Sequence, residues 1–327
     1  MTKKTVRDSS YHLIHLISRL PMSFSRLFAR GAAKLIHHFQ LSKIFHVIDL
    51  NLRIALPHLT EPEHQAILKK TISNELTSYF EFTNIWGNTP EKNLQRIGQV
   101  IGQEHLMSGL DRKKGIILIV PHFGTWEIMN SWVAQYTQMT VMYKPVKNPH
   151  ADQFVKRARS REHATLVPTD ESGVRQVFKA LKKGGTTVIL PDHTPDAGGE
   201  LIPYFGIPLE TSLLSAKLLQ KTQATALMMY AVRNDSGTFD LRIQPFSDDI
   251  LNQTPQQATA NIVNALETLI QAHPEHYHWS YKRFSAHPTL RHLYNIPQAD
   301  ALKRIEELRK TTQAYNQNNL AHEPHSL

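Results

Sequence analysis

A histidine followed five residues later by a glutamate, His122 and Glu127 in VPHFGTWE, has the residue types and spacing to move a proton. An imidazole can take a proton from a hydroxyl as that oxygen attacks, and a nearby carboxylate fixes the ring tautomer and favours its charged form. Five residues is the wrong step for the two to stack within one helix, but a loop turning back over a helix start can join them. Spacing alone decides little: with 19 His and 28 acidic residues in 327, about 1.6 matches arise by chance. A second match does occur, His58 with Glu63 in ALPHLTEPEH. It follows no apolar strand and lies in a polar turn before a helix, so it reads as coincidence.

Cysteine is absent and no serine sits in a nucleophile-elbow context, so His122 would activate a hydroxyl that belongs to the substrate. That suits direct acyl transfer from a thioester, with His122 as general base and Glu127 stabilising the imidazolium. The tetrahedral oxyanion would be held by Arg159 or by the amides of the Phe123 to Thr125 loop. Neither a cofactor nor a metal is called for, and the P-loop and G-x-G-x-x-G fingerprints are missing. His276 and His278, two residues apart with no clear third ligand, are poor evidence for zinc.

These residues need elements to position them. Ile116 to Val120 is a short, mostly β-branched apolar run, the signature of a strand buried on both faces of a largely parallel sheet. Pro121 ends it, and Thr125 reads as the N-cap of the following helix. His122 thus falls at the carboxyl end of a strand, where open α/β sheets keep their ligand crevices. Thr186 to Leu190 is a second buried strand, and Asp192 and His193 follow it as His122 follows the first. Parallel neighbours would turn all three toward one crevice. Further strands are expected at 139–144, 164–167, 225–232 and 239–244, with helices over 171–183, 211–222, 255–272 and 298–318. Residues 40–110 read as helical throughout, and the Gly- and Pro-rich stretch 198–208 as an irregular loop. The basic run Arg157, Arg159 and Arg161 lies on a helix after the 139–144 strand, where a solvated face and an oxyanion contact are both open readings. The fold class is α/β, a single mostly parallel mixed sheet flanked by helices.

The formal charge of +9, with a pI near 9.6, suits anionic lipid or an acidic carrier protein; nucleic acid is the weakest partner, since its recognition motifs are absent. Arg19, Arg26, Arg30 and Lys34 interrupt every apolar run near the N-terminus, against a secretory signal or a spanning helix. Residues 11–39 instead combine Leu20, Phe24, Leu27, Phe28 and Leu35 at helical spacing with those cations. That is the composition of a helix lying on an anionic membrane. No linker divides the chain, which organises as a basic amphipathic segment (1–40), an α/β domain (41–297) and a peripheral C-terminal helix and tail (298–327).

Four ordered blocks resemble the bacterial lipid A biosynthesis acyltransferases, the late lauroyl or myristoyl transferases of lipopolysaccharide synthesis within the wider glycerolipid acyltransferase superfamily. They are H-F-x-x-x-E at His122 to Glu127, KPVKNP at 144–149 with RARSR at 157–161, PDH at 191–193 with IPYFG at 202–206, and HWSYKRF at 278–284. With NLRIALP near residue 51 and the Glu81 region, the resemblance spans most of the chain. It implies transfer of a fatty acyl chain from acyl-acyl carrier protein to a hydroxyl of an acyl chain on a lipid A precursor, without a cofactor, at the cytoplasmic face of the inner membrane. It matches His122 and Glu127 to the catalytic pair. Arg159 and Asp192 match positions that bind substrate or organise the site, and Arg157, His193, Lys144, Lys282 and Arg283 belong to the same blocks. Pro121 stands where many relatives have Asn, and Lys144 where many have Arg. The competing reading keeps the chemistry but changes the acceptor to a lysophospholipid or another glycolipid; a membrane-binding protein without catalysis is the minor one.

Overall fold

Alternation along the central strand builds two cores. In β2 (Ile116–Ile119), Ile117 and Ile119 enter one apolar cluster while Ile116, Leu118 and the following Val120 enter the other, on the opposite face of the sheet. All four strand residues are buried, as a strand covered by helices on both faces requires. The protein is described by a computed structural model covering residues 14, 16–40 and 43–321, with side chains to residue 312. Much of the start of the basic segment (1–13 and 15), the 41–42 junction and the tail 322–327 lie outside the described residues.

The chain begins with α1 (Met22–Phe39), α2 (Lys43–Ala55), α3 (Glu61–Gly87) and α4 (Pro90–Leu94). It continues through β1 (Ile97–Ile101), α5 (Gln103–Asp111), β2, α6 (Ile128–Val133), β3 (Met139–Met142), α7 (Pro149–Arg161), β4 (Thr165–Val167), α8 (Glu171–Lys182) and β5 (Thr186–Ile189). The strands β6 (Gly199–Tyr204) and β7 (Ile207–Ser212) precede α9 (Leu214–Thr222), β8 (Thr225–Arg233), β9 (Phe239–Pro245), α10 (Pro255–Ala272) and α11 (Gln298–Ala321). Seven strands form one sheet in the order β1-β9-β8-β2-β5-β3-β4. The five from β8 to β4 are parallel, and β9 and β1 run the other way. This is the expected mostly parallel α/β architecture.

Register decides the site. β2 pairs with β5 so that Ile119 lies opposite Ile189. Carrying that alignment three residues past both strands puts His122 beside Asp192.

Four local expectations fail. Residues 97–101 form the edge strand β1 rather than a helix, its pairing to β9 outweighing a sequence whose Gly98 and Gln99 carry no strand signal. The 198–208 stretch is ordered as the antiparallel hairpin β6–β7, closed by Phe205 and Gly206, both at positive φ as a two-residue type I′ turn requires. β7 reaches Ser212, so the next helix begins at Leu214 rather than near 211. Finally, α6 starts at Ile128, and Thr125 is no cap, because its hydroxyl donates to Glu81 and Ser78 on α3.

The helix α1 is amphipathic, with its large apolar side chains turned outward. Its small residues Ser25, Ala29 and Ala33 face inward and let it lie close on α3, while Phe24, Leu27, Phe28, Leu35 and Phe39 stay exposed beside Arg30 and Lys34. Arg26 anchors the helix by reaching Glu81, which is fully buried and also bound by Arg233.

Candidate active site

Beyond β2 the backbone turns sharply through Pro121 to Gly124. Gly124 has φ +56, and a Cβ there would meet the Ala231 carbonyl at 2.3 Å, so the turn needs glycine. Residues 276–278 clamp this turn from the far end of the chain. The Gly124 amide donates to the His276 carbonyl (2.8 Å), the His278 amide donates to the His122 carbonyl (3.0 Å), and the buried His278 ring donates through Nε2 to the Gly124 carbonyl (3.0 Å). Burial pushes the His278 imidazole down to about 3, which keeps it neutral. The Phe123 amide is likewise spent, on the Pro121 carbonyl (2.8 Å). The expected oxyanion donors at Phe123 and Gly124 are therefore committed to holding the turn.

The carboxylate against His122 is Asp192. Its Oδ1 lies 2.9 Å from Nδ1 of the ring, and its Oδ2 accepts the His122 backbone amide at 2.9 Å. Asp192 is only 2 % exposed. Burial alone would raise its carboxyl, but the charge and hydrogen bonds of His122 prevail and hold it well below the usual carboxylate range. An ionised Asp192 makes Nδ1 the protonated nitrogen and leaves Nε2 as the base. One face of the ring is covered by His193, stacked at 3.7 Å and almost parallel, and His193 stacks in turn on Tyr281 at 3.7 Å. Burial, then the neighbouring His122, pushes His193 down to about 4, so the stack pairs His122 with a neutral ring. Trp126 packs nearly perpendicular to the His122 ring, with the ring centroids 5.0 Å apart.

Glu127 does something other than the expected service to His122. Its Oε1 accepts Arg159 Nη2 at 2.8 Å, and its Oε2 accepts Trp86 Nε1 at 2.9 Å and Asn130 Nδ2 at 3.0 Å. The turn between His122 and α6 carries Glu127 toward α7, where Arg159 lies over the Tyr143 ring at 5.1 Å. Trp86, at the end of α3, and Asn130 were invisible as site residues from sequence, since nothing in their spacing points to Glu127.

His122, Glu127 and Arg159 line one cavity of about 320 Å³. Its apolar wall includes Met139, Val141, Met142, Val188, Ile189 and Leu190, from β3, β5 and the residue after β5. Glu162 also lines it, with the Ser131 hydroxyl donating at 2.6 Å; burial pushes this carboxyl up to about 7. Arg159 keeps a buried Nε–H without an acceptor.

The remaining candidates separate. Lys144 pairs with Asp196 at the surface (2.7 Å), linking the residues after β3 and β5. Arg283 is buried and spent on the Glu210 carbonyl and the hydroxyls of Thr194 and Thr211, which pins the β6–β7 hairpin; it is a strut rather than a ligand-facing cation. Lys282 is exposed, 5.6 Å over the Tyr294 ring, and Arg157 is exposed on α7. Among the described residues, no group of three or more His, Cys, Asp or Glu is arranged to hold a metal.

A proton acceptor oriented by a buried carboxylate, beside a guanidinium and an apolar slot, at the carboxyl end of a parallel sheet, defines a group-transfer site for a substrate with a hydrocarbon part. The bacterial lipid A biosynthesis acyltransferase family matches residues 10–286, and the chain belongs to that family. It is 28% identical over 236 residues to a lipid A biosynthesis acyltransferase of Haemophilus influenzae, covering 70% of this chain and 72% of that one. It is 23% identical over 279 residues to the lipid A biosynthesis lauroyltransferase of Escherichia coli (84% and 90% covered). With the palmitoleoyltransferase of the same pathway and organism it shares 21% over 241 residues (73% and 78% covered). The protein is therefore a transferase, an acyltransferase of lipid A and lipopolysaccharide biosynthesis.

Proposed function

We propose that this enzyme moves a fatty acyl chain from acyl-acyl carrier protein to a hydroxyl of an acyl chain already on a lipid A precursor, at the cytoplasmic face of the inner membrane. The observation that carries the reading is the His122 ring: Nδ1 held by a buried, ionised Asp192, the ring itself lining a cavity with an apolar wall. In this mechanism Nε2 takes the acceptor hydroxyl proton while the oxygen attacks the thioester carbonyl. The tetrahedral intermediate then collapses, the C–S bond breaks, and the imidazolium returns its proton to the departing thiolate. The products are an ester and the carrier thiol, with no covalent acyl-enzyme. Asp192 stabilises the imidazolium. Glu127 acts one step away by aiming Arg159, whose guanidinium supplies positive charge at the cavity wall for the oxyanion. The wall from Met139 to Leu190 takes the hydrocarbon. No cofactor or metal enters this scheme.

The +9 charge supports an acidic carrier and anionic lipids as partners. No helix among the described residues is long and apolar enough to cross a membrane; the exposed Phe and Leu of α1 beside Arg30 and Lys34 support peripheral contact through the 1–40 segment, with 41–297 as the catalytic domain and the start of α11 packed on it through Ala301 and Ile305. Truncating α1 would remove one of the two arginines paired with the buried Glu81 and uncover α3, so the cleaner test is Leu27→Ser with Phe28→Ser. Sedimentation with anionic vesicles is expected to weaken by about tenfold or more, since each buried apolar side chain contributes about 1.5–3 kcal/mol; unchanged sedimentation refutes this contact.

The reaction is tested by incubating the enzyme with acyl carrier thioester and a lipid A precursor and reading the product by mass spectrometry. One added acyl mass per precursor is expected, and His122→Ala should lower its rate by about 10³-fold or more. Transfer to a lysophospholipid with none to the precursor would overturn the acceptor assignment.

A further inference from the structure

A second cavity, of about 420 Å³, lies between the start of α2 and the segment joining residue 282 to α11. Lys43, His46 and Lys282 line it. Among the described residues neither lysine has an ion-pair partner; the Lys282 ammonium lies 5.6 Å over the Tyr294 ring. The one carboxylate in the wall, Asp49, is engaged with other partners, one of them an Arg53 that also pairs with Glu61. Its Oδ1 is taken by His64 (2.6 Å) and Arg53 (3.1 Å), and its Oδ2 by Gln298 (2.6 Å). Two ammonium groups and an imidazole thus line a concavity whose single carboxylate is bonded to other side chains, an arrangement suited to an anionic guest.

Position indicates what that guest is attached to. Ile44, next to Lys43, is 55% exposed, and Phe39 at the end of α1 is 58% exposed, so the cavity opens beside the exposed apolar stripe. On its other side Lys282 follows Tyr281, the outer ring of the stack that runs through His193 to His122. Lys282 thus joins the cavity wall to the ring stack that ends on the base, and a large amphiphile with its hydroxyl at His122 is the kind of guest whose phosphate such a neighbouring cavity suits.

We propose that this cavity is an anion subsite for the phosphate ester of a lipid, seated between Lys43, His46 and Lys282. Placing the acceptor's own phosphate there rests on the functional reading above; a phosphate headgroup of the surrounding membrane has the same chemistry. The test uses the full chain and its Lys43→Gln/Lys282→Gln variant, titrated calorimetrically with dihexanoyl phosphatidic acid below its micellar concentration and, separately, with inorganic phosphate. A charge-assisted hydrogen bond contributes about 1.5–3 kcal/mol, so the Kd for phosphatidic acid is expected to rise by about tenfold or more in the variant. An equal Kd for both proteins, or binding of inorganic phosphate alone, overturns the subsite. Two further measurements assign the source. A higher KM with little change in kcat, seen with a phosphorylated acceptor and absent with the dephosphorylated one, identifies the acceptor's phosphate. Weaker sedimentation on phosphatidic acid vesicles with KM unchanged identifies the membrane headgroup. Should no lipid A precursor be acylated at all, the functional reading fails while the calorimetry still decides the cavity.

Discussion

His122 with Glu127 and His58 with Glu63 have the same residue types at the same spacing, yet they do opposite things. Glu63 closes a capping box at the start of α3, accepting the Thr60 amide (2.8 Å) and hydroxyl (2.7 Å). Glu127 lines a cavity and holds a guanidinium. In neither pair does the glutamate hydrogen-bond its own histidine. What separates them is the strand in front: His122 is delivered to the end of β2, where β5 presents Asp192 from 70 residues away. What a histidine ring can do is set by its neighbours in space rather than by its spacing in sequence. The His64–Asp49 pair shows the converse, a close contact (2.6 Å) whose Asp49 is shared with Arg53 and Gln298.

The comparison can be broken most decisively at the two acids of the site. Asp192→Asn removes the charge that sets the His122 tautomer, and kcat for acyl transfer is expected to fall by about 10²–10⁴-fold. Glu127→Gln only loosens Arg159, and a loss of about 10–100-fold is expected. Steady-state kinetics of both variants decide; the reverse order would make Glu127 the partner of the base. An intermediate effect is expected in the pH dependence of stability. The Glu162 carboxyl is raised in the fold to about 7, above its unfolded value near 4.5, so its favourable contribution is present at low pH and lost as pH rises through 7. Glu162→Gln should therefore gain thermal stability over the wild type at pH 8 and not at pH 4, and parallel melting curves against pH would remove the buried, protonated carboxyl. The smallest effect belongs to the other motif. His58→Ala and Glu63→Gln should leave kcat/KM within about twofold, as surface substitutions away from a site do, Glu63→Gln lowering the melting temperature slightly; a large kinetic loss from either would erase the distinction.

Much of the site was legible along the chain because buried parallel strands write themselves as short β-branched runs. Ile116 to Val120 and Thr186 to Leu190 located the crevice, and with it His122, Asp192 and His193. Arg159 was legible as a cation near a strand end, and the role of its partner was misread. The edge strand at Ile97–Ile101 and the 199–212 hairpin were not, since an edge strand needs only one neighbour and Gly, Pro and Phe serve loops and type I′ hairpins alike.

By itself the sequence determined the buried parallel strands, the residues at their ends, the basic charge and the family blocks, all of which follow from local composition and periodicity. Which acid meets which base was decided by the tertiary structure alone. The β2–β5 register pairs His122 with Asp192, and the turn after Gly124 sends Glu127 to Arg159. Hydrogen bonds are satisfied across about 3 Å of space, and residues 70 apart in the chain carry no mark of that proximity until a sheet aligns them.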